Sequence, residues 1–284
     1  AAGTVIDATG DGLVCRRAGV PMQVSAGGMQ PMSLCFLLRN VDVTTALLRD
    51  HIHHTGLHGQ SKHMGIYHAL QKLAEQGEDV PQFGGPWFNS TMQEDLICVN
   101  ITRAAANAAD RTQLTQAECR MREDAYKLVA LLRKLYPEFA KASIAEIAAQ
   151  GGVRETYHIR GLYTLSGADI LGGAPCADGV AFCSHPVDIH SAQDNTQTAQ
   201  YFDTPCPVPY RVMVAAGFDN LIAAGRCVSC VDEAYASMRV QGTCMAIGEA
   251  AGVAAAMRRE TGCAVTAVNT DDLRARLQKQ GAIV

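Results

Sequence analysis

The sequence predicts an α/β protein in which short buried strands are followed by helices. Its 284 residues are 48% hydrophobic and 18% charged, so the chain can form one large domain or two ordinary ones. Residues 4–8 form an apolar run that ends at glycines, and residues 13–18 are predicted as a helix directly after it. A second unit of this kind is a strand predicted at 220–224, ended by Gly225, with a helix rich in small residues at about 242–257.

Further elements are predicted between these two units. Residues 33–39 have the pattern of a strand, Asp42 or Thr44 could cap a helix running toward residue 50, and 61–76 are predicted as a helix. The segment 176–209 shows little periodicity. Loops of that length are often functional, so this segment is a candidate for substrate contacts.

The most regular helix is predicted at 116–136. Thr115 and Glu118 have the spacing of a capping box at its start, and an apolar stripe follows one face. A last helix is predicted at 271–280, with Thr270 as its N-cap.

Charge and cysteine content limit the possible partners. The net charge is −4 and the sequence has no basic stripe, so nucleic acid is not an expected partner. The longest apolar run, 244–257, is interrupted by glycines and a glutamate and is shorter than the roughly 20 residues that span a bilayer. The 11 cysteines are an odd number without framework spacing. They predict free thiols in a reducing compartment, and hence a cytoplasmic protein.

Two glycine-containing segments could contact a ligand. In the run VIDATGDG at 5–12, glycines directly after a buried strand let a ligand approach the backbone, and the start of the next helix favours an anion. A plain turn is the alternative interpretation. The helix from Gly242 is so poor in bulky side chains that a cofactor could lie against its first turn. Tight packing of this helix under a sheet explains the same pattern equally well.

Taken together and in this order, these segments resemble the FAD-dependent oxidoreductases of the glutathione-reductase-like fold. The match consists of VIDATGDG at 5–12, PYR at 209–211, DNLIAAGRCVS at 219–229 and the small-residue helix from 237 onward. Shorter agreements, GVRE at 152–155 and PVDIH at 186–190 among them, extend the likeness across most of the chain. The resemblance implies FAD as cofactor and hydride transfer from a small organic substrate to the flavin.

The resemblance also implies an architecture. Residues 1–30 and 205–284 would form part of a three-layer FAD-binding domain, into which an α+β substrate or cap domain, 31–204, is inserted. The family's N-terminal G-x-G-x-x-G turn and its acidic ribose-binding residue do not occur in this sequence. We therefore expect a C-terminal portion that binds FAD poorly by itself. It would associate with itself or with a complementary N-terminal polypeptide.

The resemblance assigns the cofactor-binding residues to two glycine turns and one helix start. They are Thr9, Gly10, Asp11, Gly225, Arg226, Arg239, Gly242 and Thr243. The helix start at Gly242 and Thr243 would face the pyrimidine edge of the flavin, where its amides stabilise negative charge on the reduced ring.

Candidate catalytic residues come from the middle of the chain. Arg154 and Arg160, with Glu155, match a family motif of the type RES, and an arginine can orient a substrate carboxylate. Asp188 and His190 match a motif of the type PIDIH, and a histidine beside a carboxylate can move protons. A structural ion-pair network is the alternative for all of them. Family members often carry histidine where this chain has Asp232, which puts an inherited acid–base role there in doubt.

Two rival function classes stay open. The chain could be a flavin-free remnant that serves as a binding or interaction module. It could also be a metal or thiol protein that uses the lone pair Cys227 and Cys230 or the histidine-rich stretch between His51 and His68. A bound yellow chromophore would exclude the first class, whereas a stoichiometric metal without flavin would favour the second. From the residue pattern alone we expect no metal site.

Overall fold

The computed structural model describes residues 2–45, 47–48, 63–173 and 176–284, and it shows a mixed α/β chain. Residue contacts divide the chain into two compact units. The first comprises Ala1–Met29, Glu155–Ile189 and Thr198–Val284, and the second Gln30–Arg154 and His190–Gln197. This grouping joins 155–189 and 198–204 to the terminal segments, whereas the sequence-based division assigned them to the inserted domain. The mixed α/β class is confirmed, and the three-layer arrangement stays a prediction.

The strands are short, and several lie in segments with weak sequence periodicity. They are β1 (Val5–Asp7), β2 (Met22–Gln23), β3 (Phe36–Arg39), β4 (Phe83–Ser90), β5 (Leu96–Thr102), β6 (Ser143–Ile147), β7 (His158–Ile159), β8 (Gly179–Cys183), β9 (Val187–His190), β10 (Gln197–Gln200), β11 (Cys206–Pro209) and β12 (Leu221–Ala223). The helices are α1 (Leu13–Ala18), α2 (Met64–Glu75), α3 (Arg111–Leu135), α4 (Gly167–Gly172), α5 (Asp232–Met238), α6 (Gln241–Thr261) and α7 (Thr270–Lys279).

In the first unit, the two predicted strand–turn–helix segments come together. Strands β1 and β12 pair in parallel, with Val5 opposite Leu221 and Asp7 opposite Ala223. Helix α6 packs against β1 and β8 through a face that contains Ile247 and several alanines. Small side chains on this face let the helix lie close to the strands, so the tight-packing interpretation explains this side of the helix.

The second unit has an antiparallel sheet in the order β4-β5-β3-β6, with α3 packed against β5 and β6 and α2 against β4. Side chains alternate along its strands. Phe36 and Leu38 of β3 lie in the core, together with Ile97 and Val99 of β5. The residues between them point to the opposite face, which is partly exposed.

Two helix N-caps were predicted at the wrong residue. Helix α3 begins at Arg111, because the Asp110 side chain accepts a hydrogen bond from Gln113 N–H at 3.0 Å and already caps the chain there. Thr115 lies inside the helix, where its hydroxyl donates to Arg111 O. At α7 the cap is Asn269 instead of Thr270, one residue earlier than predicted.

Residues 46, 49 and 50 of the helix predicted from Asp42 toward residue 50 lie outside the described residues, as do the first two residues of the helix predicted at 61–76. Within the described part, Asp42 accepts hydrogen bonds from the Thr44 amide and hydroxyl, and His63 caps α2 through Nδ1.

We expect Asp110→Ala to lower the free energy of unfolding by about 1 kcal/mol, because the first turn of α3 loses its side-chain cap. Thr115→Ala is the matched control and should change it by less than about 0.5 kcal/mol, since its hydroxyl only bonds within the helix. Urea unfolding followed by circular dichroism measures both. A larger loss for Thr115→Ala would place the helix start where the sequence pattern put it.

Candidate functional site

The Asp7 carboxylate fixes the turn after β1. Its Oδ1 accepts hydrogen bonds from the Thr9 amide at 3.0 Å and the Thr9 hydroxyl at 2.7 Å, and its Oδ2 accepts one from the Cys15 amide at 2.8 Å. Burial raises the pKa of Asp7, but the hydrogen bonds from Cys15 and Thr9 together outweigh it, so the net pKa lies below the ordinary value. A charged, buried carboxylate therefore connects the end of β1 to α1.

The turn that Asp7 holds brings a glycine against an arginine. Gly10 has φ 77°, and a Cβ there would lie 2.6 Å from Arg226 Nη2. The same Arg226 atom is 3.4 Å from Asp11 Oδ1, which also accepts a hydrogen bond from the Thr156 hydroxyl at 2.9 Å. Gly225, with φ 78°, precedes Arg226 at the end of β12. The absence of a side chain at Gly10 thus leaves room for the guanidinium.

Helix α6 begins without a side-chain cap among the described residues. Val240 is its N-cap, and the first intrahelical bond runs from Cys244 N–H to Val240 O at 3.0 Å. Helix geometry leaves the preceding amides, including those of Gly242 and Thr243, without intrahelical acceptors. A Cβ on Gly242 would meet no atom within 4 Å. The positive end of a 21-residue helix is therefore accessible to an anion or an electron-rich ring.

Asp188 and Arg239 form an ion pair in the first unit. Arg239 Nη2 donates to Asp188 Oδ2 at 3.1 Å and to Asp188 O at 3.0 Å, and both side chains are largely buried. Arg239 Nε is buried and has no hydrogen-bond partner among the described residues. The ion-pair interpretation thus applies to Asp188, and the pair fixes the carboxylate in position.

A buried polar network lies near the position where the family often has histidine. Ser25 Oγ donates to Glu155 Oε1 at 2.5 Å, and the same oxygen lies 3.1 Å from His158 Nε2. The Asp232 amide donates to Ser25 Oγ at 2.9 Å from a left-handed backbone with φ 51°. The ring of Tyr235 packs edge-on against His158, with centroids 4.4 Å apart. Asp232 therefore joins this network through its backbone.

His190 lies in the second unit and is held by Arg103. Arg103 Nη2 is 3.2 Å from His190 Nδ1. Gln30 Oε1 accepts a hydrogen bond from the His190 amide at 3.2 Å. A guanidinium has only donors, so Nδ1 is the acceptor and the ring proton is on Nε2. Arg103 also donates to Ser33 Oγ at 2.7 Å and lies 5.2 Å from the Trp87 ring. His190 is thus oriented as a hydrogen-bond donor.

The two arginines predicted to bind substrate differ in their surroundings. Arg154 donates from Nη1 to Pro31 O at 2.6 Å and is half-buried in the second unit. Arg160 follows β7 in the first unit, where its amide donates to Pro21 O and its side chain is exposed. The two residues therefore belong to different units.

Five of the predicted cofactor residues come together, at the carboxyl ends of a parallel strand pair. Thr9, Gly10 and Asp11 follow β1, Gly225 and Arg226 follow β12, and α6 packs against the turn at Gly225. Ligands of open α/β sheets bind at this end of the strands. Gly10 and Gly225 with positive φ, together with the uncapped start of α6, fit a flat, anionic cofactor.

A family model described as FAD dependent oxidoreductase matches residues 1–277. The chain belongs to this family. Its cofactor is therefore FAD. Comparisons with curated proteins and with solved structures gave no match.

The rival thiol and metal interpretations gain no support from the part of the chain that the structure describes. Burial raises the pKa of Cys227 to about 12 and that of Cys230 far above its usual range, so both thiols stay protonated. Within the described ranges no three His, Cys, Asp or Glu side chains could hold a metal ion together. His51, His53, His54 and His58 lie outside them. No described helix has the length and apolarity to cross a bilayer.

Sequence reasoning missed Asp7, Arg103 and His158. Asp7 was included in the VIDATGDG motif, but only its three hydrogen bonds show its role. For Arg103 a signal exists, because it is a charged residue directly after the apolar strand β5 and is nevertheless buried. His158 had no such signal, since its neighbours in sequence gave no periodic pattern.

We expect Asp7→Asn to lower the free energy of unfolding at pH 7 by about 2 kcal/mol, because charge-assisted hydrogen bonds are lost. The lowered pKa means that this contribution is present above the unfolded-state pKa of about 3.9 and disappears as the pH falls through the folded-state value. The difference between wild type and variant should therefore shrink in urea titrations at about pH 3. Glu94→Gln, at an exposed turn, is the control. A difference independent of pH would show that Asp7 is not ionised in the fold.

For His190 we expect ¹⁵N NMR of histidine-labelled protein to show an unprotonated Nδ1 and a protonated Nε2 near pH 7. Arg103→Gln should remove this tautomer preference, whereas Arg122→Gln, a partly exposed arginine on α3, should leave it unchanged. A protonated Nδ1 in the wild-type protein would contradict the assignment.

Proposed function

We propose that this chain carries part of the flavin site and the substrate-binding residues of an enzyme that oxidises a small organic molecule by hydride transfer. The observation that supports this most is that the VIDATGDG turn and the Gly225 turn lie together at the carboxyl ends of a parallel strand pair, with α6 packed against the Gly225 turn. The family supplies the cofactor and the reaction class. The glutathione-reductase-like architecture is part of the proposal.

The cofactor would be held by backbone groups more than by side chains. The turn at Thr9, Gly10 and Asp11 and the turn at Gly225 present backbone to it, and the amides of Gly242 and Thr243 would face its electron-rich edge. FAD, when bound, supplies the acceptor for a hydride. A G-x-G-x-x-G turn for the pyrophosphate does not occur in these 284 residues.

The substrate-directed roles follow from the chemistry of each side chain. Asp188, fixed by Arg239, is a carboxylate that can accept a proton at Oδ1 or Oδ2. His190 donates a hydrogen bond from Nε2 to a substrate oxygen. Arg160, whose side chain is exposed, is suited to bind a substrate carboxylate. Arg154 of the second unit carries the same chemistry.

We expect a polypeptide that joins these residues to a G-x-G-x-x-G segment to copurify with noncovalent FAD and to show the usual two visible absorption bands. Gly242→Leu should lower the flavin content, because a side chain at the start of α6 fills the space of the ring edge. Gly252→Leu, at another exposed glycine of the same helix whose Cβ would also meet no atom, should retain it. A colourless protein that does not take up added FAD would overturn the proposal.

We expect Asp188→Asn and His190→Ala to slow reduction of the flavin by substrate, by about tenfold or more, while FAD stays bound. His190→Gln keeps a donor near the Nε2 position and should retain more of the rate than His190→Ala. The control is His68→Ala, at an exposed position on α2. Stopped-flow measurement of the reductive half-reaction checks this, and full rates in Asp188→Asn and His190→Ala would return both residues to a structural role.

A further inference from the structure

Two cysteines lie directly opposite each other on a pair of strands in the first unit. Strands β8 and β11 run antiparallel, and their register pairs Cys183 with Cys206. Both side chains belong to the core of the unit, with exposed fractions of 0% and 2%. Phe182 and Pro207, the neighbours of these cysteines in the two strands, are more exposed. The two thiols therefore lie on the same, buried face of the strand pair.

The register brings the two thiols within reach of a disulfide bond. Directly opposite residues of an antiparallel pair have Cα atoms about 4.5 or about 5.5 Å apart, depending on their position in the hydrogen-bond ladder. Disulfides need a Cα separation of about 4.4–6.8 Å, so the backbone is in place in either case. The Cβ atoms of such a pair lie about 4.5–5.5 Å apart and have to approach by about 1 Å. Formation of the bond thus requires new side-chain rotamers and only a small shift of the strands.

The contacts with backbone carbonyls that Cys206 would give up are weak. Both cysteines are free thiols. The Cys206 sulfur lies 3.4 Å from Asp169 O and 3.5 Å from Pro207 O. Because a thiol is a weak hydrogen-bond donor, rotation of Cys206 away from these carbonyls costs little.

Among the strands that the structure describes, no other two cysteines are paired in this way. Cys98 is the only further cysteine within a described strand, and it lies opposite Leu37 of β3 and Asn89 of β4. Cys35 precedes Leu37 by two residues, so it is a diagonal neighbour of Cys98. Diagonal neighbours lie about 7–8 Å apart, which is too far for a disulfide without movement of the backbone.

We propose that Cys183 and Cys206 form a cross-strand disulfide when the chain is oxidised by hydrogen peroxide, and that they are a redox-sensitive link between β8 and β11. The sulfur of one cysteine attacks peroxide, so that an S–O bond forms and the O–O bond breaks, and hydroxide leaves with the thiol proton as water. The second sulfur attacks the sulfenic sulfur. The S–S bond forms, the S–O bond breaks, and hydroxide leaves with the second thiol proton. The two thiols lose two electrons in total, and the peroxide is reduced to water.

The burial of both thiols determines how fast the bond forms and breaks. The packed strands shield the sulfurs from bulky oxidants, whereas peroxide is nearly as small as water and also reaches them when β8 and β11 open locally. The same burial slows reduction of the finished disulfide. The segment between the two cysteines contains β9 with Asp188, so oxidation restrains the part of the chain that carries this carboxylate.

The first test maps the bond in the wild-type chain. After exposure to hydrogen peroxide, the remaining thiols are alkylated in denaturant and the protein is digested without reductant. Trypsin with Asp-N puts Cys183 on the peptide 178–187 and Cys206 on the peptide 203–211, and it separates both from Cys176. Mass spectrometry should find the two peptides joined after oxidation and separate after treatment with dithiothreitol.

The second test measures the effect of the bond on stability. Oxidation should raise the Tm of the wild-type chain by about 5 °C, because the bond restricts the unfolded chain. Cys206→Ser should abolish this rise. Cys263→Ser, at a half-buried cysteine outside the strands, is the matched control and should retain it.

Three results would overturn the proposal. One is complete alkylation of Cys183 and Cys206 in the wild-type chain at peroxide concentrations that oxidise Cys119, which is exposed on α3. Another is a disulfide that joins Cys183 to a cysteine other than Cys206. Neither of these requires a variant to fold. The third is an equal rise of the Tm in folded Cys206→Ser protein.

Discussion

The carboxylate of Asp7 lies where β1 ends, and the geometry of the turn at Thr9, Gly10 and Asp11 follows from it. Because its two oxygens accept hydrogen bonds from Thr9 and from the Cys15 amide, the chain must turn sharply between β1 and α1. That turn puts Gly10 against Arg226, which follows β12, so one buried charge aligns the ends of both parallel strands. A buried carboxylate is costly unless it is hydrogen-bonded, and its three donors make the charged form the stable one.

The small residues of helix α6 are a second constraint. Packing within the described residues explains them only on the side of the helix that faces the strands. Its alanines face the strands and permit close approach. Gly242, Gly248 and Gly252 lie on the other side, where an added Cβ would meet no atom. Glycine in a helix interior costs about 1 kcal/mol relative to alanine, so glycines at 248 and 252 reduce helix stability without a gain in packing.

The sequence predicted those features of the structure whose causes lie in neighbouring residues, and it did not predict those that depend on residues far apart in the chain. Helix α1 has the predicted bounds because its limits are set by adjacent glycines. The start of α3 was predicted too late in the sequence, because Asp110 and Thr115 both satisfy local capping rules. The helix begins after the earlier of the two, Asp110. The contacts of Arg103 with His190 and of Ser25 with Glu155 join residues 87 and 130 positions apart. No local pattern encodes such pairs, and the Arg103 contact also determines which ring nitrogen of His190 carries the proton.

The charges around the first-unit site are balanced in pairs, and this limits how an anion can be recognised there. Arg226 faces Asp11, and Arg239 faces Asp188. Each pair produces little net electric field at a distance. The positive potential that remains comes mainly from the amides at the start of α6. The potential of these amides falls off within one helical turn. Attraction at such short range requires the ligand to be in place already. In the proposed cofactor site, recognition would therefore depend on the shape of the glycine turns, which the buried charge of Asp7 maintains, more than on steering by the arginines.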